Sequence, residues 1–244
     1  MHLRLDHLIL RAGDPEATLA ELARRARVPV LAEVKQVVGV RSGVAHAGSV
    51  DIEVLGIGDT PPAQPLGYGL GLVADVPLRE AVAGVRALGL PTSAPVRGIA
   101  GEGDGRRQWH AVQIHGLLPN PFDVPVSTRR LGLRDRVAGA AGGTLGRVPA
   151  IARVATAEPG DSMVVLTEYD FDVDAWRATG AGGPEVVGVE VGTAGSRAAW
   201  ERLPLGGEVE LALDDEGPAG VRRVTFAGAR RKPFALGAVR FDWR

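Results

Sequence analysis

The spacing of apolar residues predicts a strand, a helix and then further strands in the first part of the chain. Residues 3–11 are rich in large aliphatic side chains with partial alternation, which predicts a strand. An Asp-Pro pair at residues 14–15 predicts a helix start, because Asp caps helices well and Pro is tolerated at the first helical position. Two more strands are predicted at residues 28–40 and 50–57, separated by a turn at residues 41–43.

The same order of patterns recurs 62 residues further on, when Pro77 is aligned with Pro15. A strand at residues 68–75 precedes a helix that starts at Pro77, and strands follow at residues 93–99 and 109–115. Few residues are identical between the two copies, so the repeat is one of pattern. It indicates the duplication of a small βαβββ module.

The pattern is weaker beyond residue 128. Residues 129–162 are rich in Gly, Ala and Arg, which is typical of a connecting segment. Residues 163–244 suggest a third, partial unit, with a strand at residues 185–191 and a helix at residues 196–203. We therefore expect an α+β protein with paired modules in residues 1–128, a connection, and an additional C-terminal α/β unit.

Composition narrows the class of protein. The chain has 244 residues, of which 45% are hydrophobic and 23% charged, as in ordinary globular proteins. It contains no cysteine, so any metal ligand must be His, Asp or Glu. A net charge of −1 provides no general attraction to nucleic acid.

The sequence shows neither a signal peptide nor an apolar run of the roughly 20 residues that cross a bilayer. We therefore expect a cytoplasmic protein with no membrane partner. The glycine-rich residues 67–71 lie before or within a strand instead of between a strand and a helix, which argues against dinucleotide binding.

Several short segments resemble the vicinal-oxygen-chelate superfamily, also called glyoxalase-like. They are LDHLIL at residues 5–10 followed by Asp-Pro, DIEVL at residues 51–55, GYGLGL at residues 67–72, Trp109, and Pro-Phe at residues 121–122. The resemblance covers residues 3–128 and is weak thereafter. It implies that two βαβββ modules pair their sheets into a half-open barrel around a metal.

The resemblance also implies a set of metal ligands. Members of the superfamily carry a His on the first strand and a Glu on the fourth strand of a metal-binding module, and His7 and Glu53 match these places. The implied cofactor is a divalent metal ion (Fe, Mn, Zn or Ni), with open positions for two substrate oxygens.

The second module departs from this pattern. The residue 62 positions after His7 is Gly69, which has no side chain, whereas the residue 62 positions after Glu53 is His115. We take His115 as the third metal ligand, although an insertion would move the ligand position to Asp123 instead. Strand alternation places Trp109 and His115 on one face of a strand.

Each candidate has a simpler structural explanation. His7 is equally consistent with a strand histidine that is hydrogen-bonded to a neighbour. Glu53, between two apolar residues, points either to water or into a cleft. His46 is expected to lie in a surface turn, and Trp109 is as well explained by ordinary packing.

Two functions remain open at this point. One is a metal-dependent lyase, isomerase or ring-cleaving dioxygenase acting on a small oxygenated molecule. The other, which Gly69 favours, is a metal-free protein that binds or sequesters a small molecule. A small-molecule ligand is the expected partner in both cases, a homodimer is one possible assembly, and the C-terminal unit could instead serve as a scaffold.

Overall fold

The computed structural model describes residues 1–37, 40–57, 61–101, 106–118, 163–228 and 231–244. The expected connection at residues 129–162 and the alternative ligand Asp123 lie outside the described residues. So does the Pro-Phe pair at residues 121–122.

The first module has the order βαβββ. Its elements are β1 (Leu3–Arg11), α1 (Pro15–Ala26), β2 (Val30–Val37), β3 (Val40–Ala47) and β4 (Val50–Gly56). Asp14 caps α1 by accepting a hydrogen bond from the backbone N–H of Ala17 at 3.0 Å. The helix buries Leu19 and Leu22 against the sheet, as its apolar stripe predicts.

Strand β3 occupies the segment that we expected to contain a turn at residues 41–43. That expectation was wrong because Ser, Gly, Ala and His have little strand preference by themselves. Here the pairing of β3 with β2 on one side and β4 on the other overrides local preference. His46 is accordingly a buried strand residue and not a surface turn residue.

The second module repeats this order with a distant fourth strand. Its elements are β5 (Leu66–Ala74), α2 (Leu78–Ala87), β6 (Val96–Ala100), β7 (Arg107–Ile114) and β8 (Met163–Tyr169). Strand β8 pairs in parallel with β5 and antiparallel with β7. The strand at residues 163–169, which we had assigned to the third unit, therefore lies in the sheet of the paired modules.

The two modules pair with each other through their first strands. The sheet has the order β2-β3-β4-β1-β5-β8-β7-β6, with β1 and β5 antiparallel at its centre. Leu8 pairs with Leu70, His7 with Gly71 and Ile9 with Gly69. This reciprocal register makes His7 equivalent to Gly69, so the 62-residue offset read from the sequence is confirmed at the centre of the sheet. The α+β fold of repeated βαβββ modules in a half-open barrel is confirmed as well.

The C-terminal part forms a second sheet. Its elements are α3 (Val173–Ala178), β9 (Glu185–Gly192), α4 (Arg197–Trp200), β10 (Leu205–Gly206), β11 (Glu210–Asp214), β12 (Gly220–Ala227), β13 (Phe234–Leu236) and β14 (Val239–Trp243). Strand β10 adds to β1, and the others form a sheet of order β11-β9-β12-β14-β13. Its centre repeats the paired arrangement, because β9 and β12 are antiparallel and each has a parallel neighbour, β11 and β14.

The second sheet packs closely on the first. Strand β12 lies against β5, and a Cβ atom at Gly67 would come within 1.8 Å of the Val221 carbonyl oxygen. Only glycine allows two backbones to approach in this way. Buried residues of both sheets, including Leu70 and Phe226, form one continuous core. Within the described part of the chain, no helix is long and apolar enough to span a membrane.

Candidate functional site

The concave side of the first sheet encloses a cavity of about 540 Å³. Strands of both modules supply its walls, and four aromatic side chains form one side, here called the aromatic wall. These are Trp109, Tyr169, Phe171 and Trp176. A cavity of this size that combines apolar walls with a few polar groups is the usual form of a small-molecule site.

His7 and Glu53 face this cavity from the neighbouring parallel strands β1 and β4. Their Nε2 and Oε2 atoms are 4.0 Å apart. Ser42 donates a hydrogen bond of 2.6 Å to Oε1 of Glu53 and so fixes the carboxylate. Ile52 and Val54 point to the opposite face and are fully buried, as strand alternation predicts.

A β-bulge places Asp6 beside His7. The register of β1 on β5 shifts between Leu5 and His7, so Asp6 has no partner on β5. The two consecutive side chains therefore meet, with Nδ1 of His7 2.8 Å from Oδ2 of Asp6. Because Nδ1 is occupied by Asp6, the other ring nitrogen, Nε2, is the one directed to Glu53 and the cavity.

Asp6 and His7 belong to a larger buried network. Arg177 of α3 donates to Oδ1 of Asp6 at 2.7 Å and to Oδ2 of Asp51 at 2.8 and 2.9 Å. Tyr169 donates to Asp6 at 2.5 Å, and His46 lies 2.7 Å from Asp51. The term buried network refers below to Asp6, His46, Asp51, Tyr169 and Arg177. Sequence reasoning missed the network because its members lie far apart in the chain, with 171 positions between Asp6 and Arg177, and no local pattern joins them.

The network sets the protonation of the site. Burial by itself would raise the pKa of Asp6, but the hydrogen bond and charge of His7 and the charge of Arg177 hold that pKa well below its usual range. Burial opposes the charged form of His7, yet its hydrogen bond to the Asp6 carboxylate and the charges of Asp6 and Glu53 raise its pKa. Burial and the nearby charge of Asp6 raise the pKa of Tyr169, which stays protonated. Asp6 is therefore an anion, and Nδ1 of His7 donates to it.

The second module offers no counterpart to His7 and Glu53. In the first module Ile9 pairs with Glu53, and at the equivalent place in the second Gly71 pairs with Val165. The ligand positions of the second module are thus Gly69 and Val165. His115 follows the end of β7, where its backbone N–H donates to the Pro91 carbonyl at 2.8 Å, and the cavity wall includes Trp109 but not His115.

These donors fall short of a complete metal site. No group of three His, Asp or Glu side chains that could hold a metal occurs among the residues that the structure describes. Catalytic zinc sites use three protein ligands plus a water or substrate. Of the carboxylates in the described cavity wall, Asp51 is engaged by Arg177 and His46 and Glu33 is exposed, which leaves His7 and Glu53 as two ligands. The described residues therefore do not complete the metal centre implied by the resemblance.

The curled sheet of paired βαβββ modules has the architecture of the vicinal-oxygen-chelate, or glyoxalase-like, fold. A hypothetical protein from Staphylococcus aureus is similar over 99% of each chain, with 9% identity and a TM-score of 0.63. A triple mutant of 4-hydroxymandelate synthase from Streptomyces coelicolor matches with 14% identity and a TM-score of 0.48, over 92% of this chain and 71% of that one. Methylmalonyl-CoA epimerase from Mycobacterium tuberculosis matches with 12% identity and a TM-score of 0.37, over 70% of this chain and 91% of that one. No protein-family model and no curated protein matches the sequence.

Proposed function

We propose that the cavity binds a small organic molecule with a largely apolar, planar body, and that His7 and Glu53 contact its polar end. The observation that carries this proposal is one cavity of about 540 Å³ with the aromatic wall on one side and the His7–Glu53 pair on another. Apolar and aromatic surface provides binding energy, and a few fixed polar groups orient the ligand.

The same pair is suited to acid–base chemistry. Asp6 holds the Nδ1–H of His7 and fixes the ring, which leaves Nε2 to exchange a proton with the ligand. Because its pKa is raised, the His7 imidazole is favoured in its protonated form and could act as a general acid toward the ligand. Glu53, whose Oε2 lies 4.0 Å from Nε2 of His7, would accept a hydrogen bond from a ligand hydroxyl.

A metal-dependent lyase, isomerase or ring-cleaving dioxygenase is the second candidate. It is favoured by the hydrogen bond from Nδ1 of His7 to the Asp6 carboxylate, because metal-binding histidines usually donate their other N–H to such a group. In this candidate His7 and Glu53 would hold a divalent cation. It requires a third donor beyond these two, and His115, the residue predicted from the sequence, stays an untested proposal.

Cavity filling tests the first proposal. Nile red, a neutral dye that fluoresces in apolar surroundings, is titrated into the wild-type protein and into Ala111→Trp. Ala111 lines the cavity, so an indole at this position would occupy the ligand volume. We expect saturable 1:1 binding to the wild type and a loss of affinity of about tenfold or more in Ala111→Trp.

The matched control is Ala235→Trp, because Ala235 is an exposed strand residue of β13 outside the cavity. It should bind the dye like the wild type, and thermal unfolding should show that both variants fold. Equal dye binding by Ala111→Trp and the wild type would contradict a ligand site in this cavity.

A further inference from the structure

Arg107 is a cation of the cavity wall that the buried network does not use. It is the first residue of β7 and is half-buried, and its guanidinium carbon lies 4.6 Å from the ring centre of Trp176. Within the part of the chain that the structure describes, its side chain forms no ion pair with a carboxylate. Burial lowers the pKa of Arg107.

The two buried or half-buried carboxylates that line the cavity have partners. Asp51 is bonded to Arg177, and Glu53 to Ser42 with His7 close by. Glu33 and Lys35, which carry opposite charges, also line the cavity, but both are exposed to solvent. Taking a cation partly out of water without an anion costs free energy, which an anionic ligand would recover.

The surroundings of Arg107 indicate what such an anion would be attached to. Tyr169, Phe171 and Trp176 pack edge to face, with ring centres 5.3 and 6.0 Å apart, and the guanidinium covers the Trp176 end of this row. With one face on an indole, the guanidinium keeps its in-plane N–H groups for a ligand. A planar body beside the aromatic wall would bring a carboxylate to these N–H groups.

The charges on the two sides of the cavity differ in sign. Glu53 belongs to β4 and Arg107 to β7, and β1, β5 and β8 separate these strands in the curled sheet. A carboxylate is attracted to the β7 side and repelled from Glu53. This arrangement would orient a ligand with its acid group at Arg107 and its other polar group at His7.

We propose that the ligand is an aromatic or similarly planar organic acid, with Arg107 as the residue that binds its carboxylate and determines specificity. This inference rests on the proposed function and extends it by naming the ligand class. One guanidinium matches a singly charged carboxylate through two parallel hydrogen bonds. A multiply charged phosphate chain would call for several cations, and the described cavity wall adds only the exposed Lys35.

A matched pair of compounds tests the inference. 2-Naphthaleneacetate and its neutral isostere 2-naphthaleneacetamide are measured by displacement of Nile red and directly by ligand-observed NMR. The wild type should bind the acid about tenfold more tightly than the amide, because one charge-assisted pair separates them. Arg107→Gln should remove this preference while dye affinity stays within about twofold.

Arg106→Gln is the control variant, since it makes the same change of charge at the neighbouring exposed residue. It should keep the tenfold preference. Arg107→Lys keeps the charge but not the planar fork, so a reduced preference for the acid is expected. If Arg107→Gln does not fold, the preference for the acid over the amide is compared between the wild type and Arg107→Lys. An unchanged preference in Arg107→Lys would then count against Arg107.

The outcomes separate the two proposals. Equal affinity of the wild type for acid and amide, with Nile red still bound, would overturn the organic-acid inference and leave the cavity as a ligand site. An equal loss in Arg106→Gln and Arg107→Gln would overturn it too, because a general charge effect would then suffice. Failure of the dye and both compounds to bind would overturn both proposals.

Discussion

The imidazole ring of His7 lies directly over the backbone of Gly71 on the neighbouring strand. A Cβ atom at residue 71 would come within 1.9 Å of Cε1 and 2.3 Å of Nε2 of His7. The two residues are register partners on β1 and β5. The glycine thus creates the space in which His7 reaches both Asp6 and the cavity.

Gly71→Ala should displace His7 from this position. The added methyl group cannot coexist with the ring, so the ring must rotate away from Asp6, at a cost in unfolding free energy of about 1–3 kcal/mol. NMR titration should show the pKa of His7 falling toward its ordinary value. Gly188→Ala is the control, because a Cβ there meets Thr225 at an ordinary 3.5 Å. An unchanged His7 titration in Gly71→Ala would contradict the steric argument.

Arg177→Met should strongly destabilise the protein. The substitution leaves Asp6 and Asp51 buried without their shared cation, and breaking such a pair typically costs about 3–5 kcal/mol. Chemical denaturation measures this loss. Arg24→Met serves as the control, because the pair of Arg24 with Glu21 is exposed and should contribute little. Similar denaturation midpoints for the two variants would rule out a structural role for the network.

His7 should make stability decline as pH rises. Its folded pKa is raised, so its contribution is fully present below the unfolded pKa of about 6.5 and is lost as pH rises through the folded value. Asp6 acts in the opposite sense, because its folded pKa is lowered. Its contribution is fully present above the unfolded pKa of about 3.9 and is lost as pH falls through the folded pKa. Denaturation midpoints between about pH 6 and 9 should therefore fall in the wild type and fall less in His7→Gln. Identical slopes would exclude His7 as the titrating group.

Local sequence patterns were sufficient to predict the two repeated modules and the orientation of the Glu53 side chain. The aligned helix starts at Pro15 and Pro77 give the offset that relates His7 to Gly69 in the structure. Alternation around Glu53 correctly separates its carboxylate from the buried Ile52 and Val54. These features depend on short-range periodicity, which a single sequence displays directly.

Long-range features could not be read in this way. The fourth strand of the second module begins at Met163, far beyond Ile114, so a constant offset gave His115 instead of Val165 as the counterpart of Glu53. The bulge at Asp6 and the reach of Arg177 from α3 depend on strand register and tertiary packing. No pattern within a window of the chain specifies either one.

The wild-type protein should retain little divalent metal. After incubation with Fe, Mn, Zn or Ni and desalting, the wild type should retain well below one equivalent, because two ligands hold a cation less firmly than the usual three or four. His7→Ala should lose about 1–3 kcal/mol of stability, since Asp6 loses a buried partner, whereas Glu53→Ala should lose less because Glu53 is the more exposed of the two. His110→Ala, on the other face of β7, controls for adventitious binding at a half-buried histidine outside the cavity. Stoichiometric metal in the wild type that both cavity variants abolish, and His110→Ala retains, would instead establish the metal-dependent candidate.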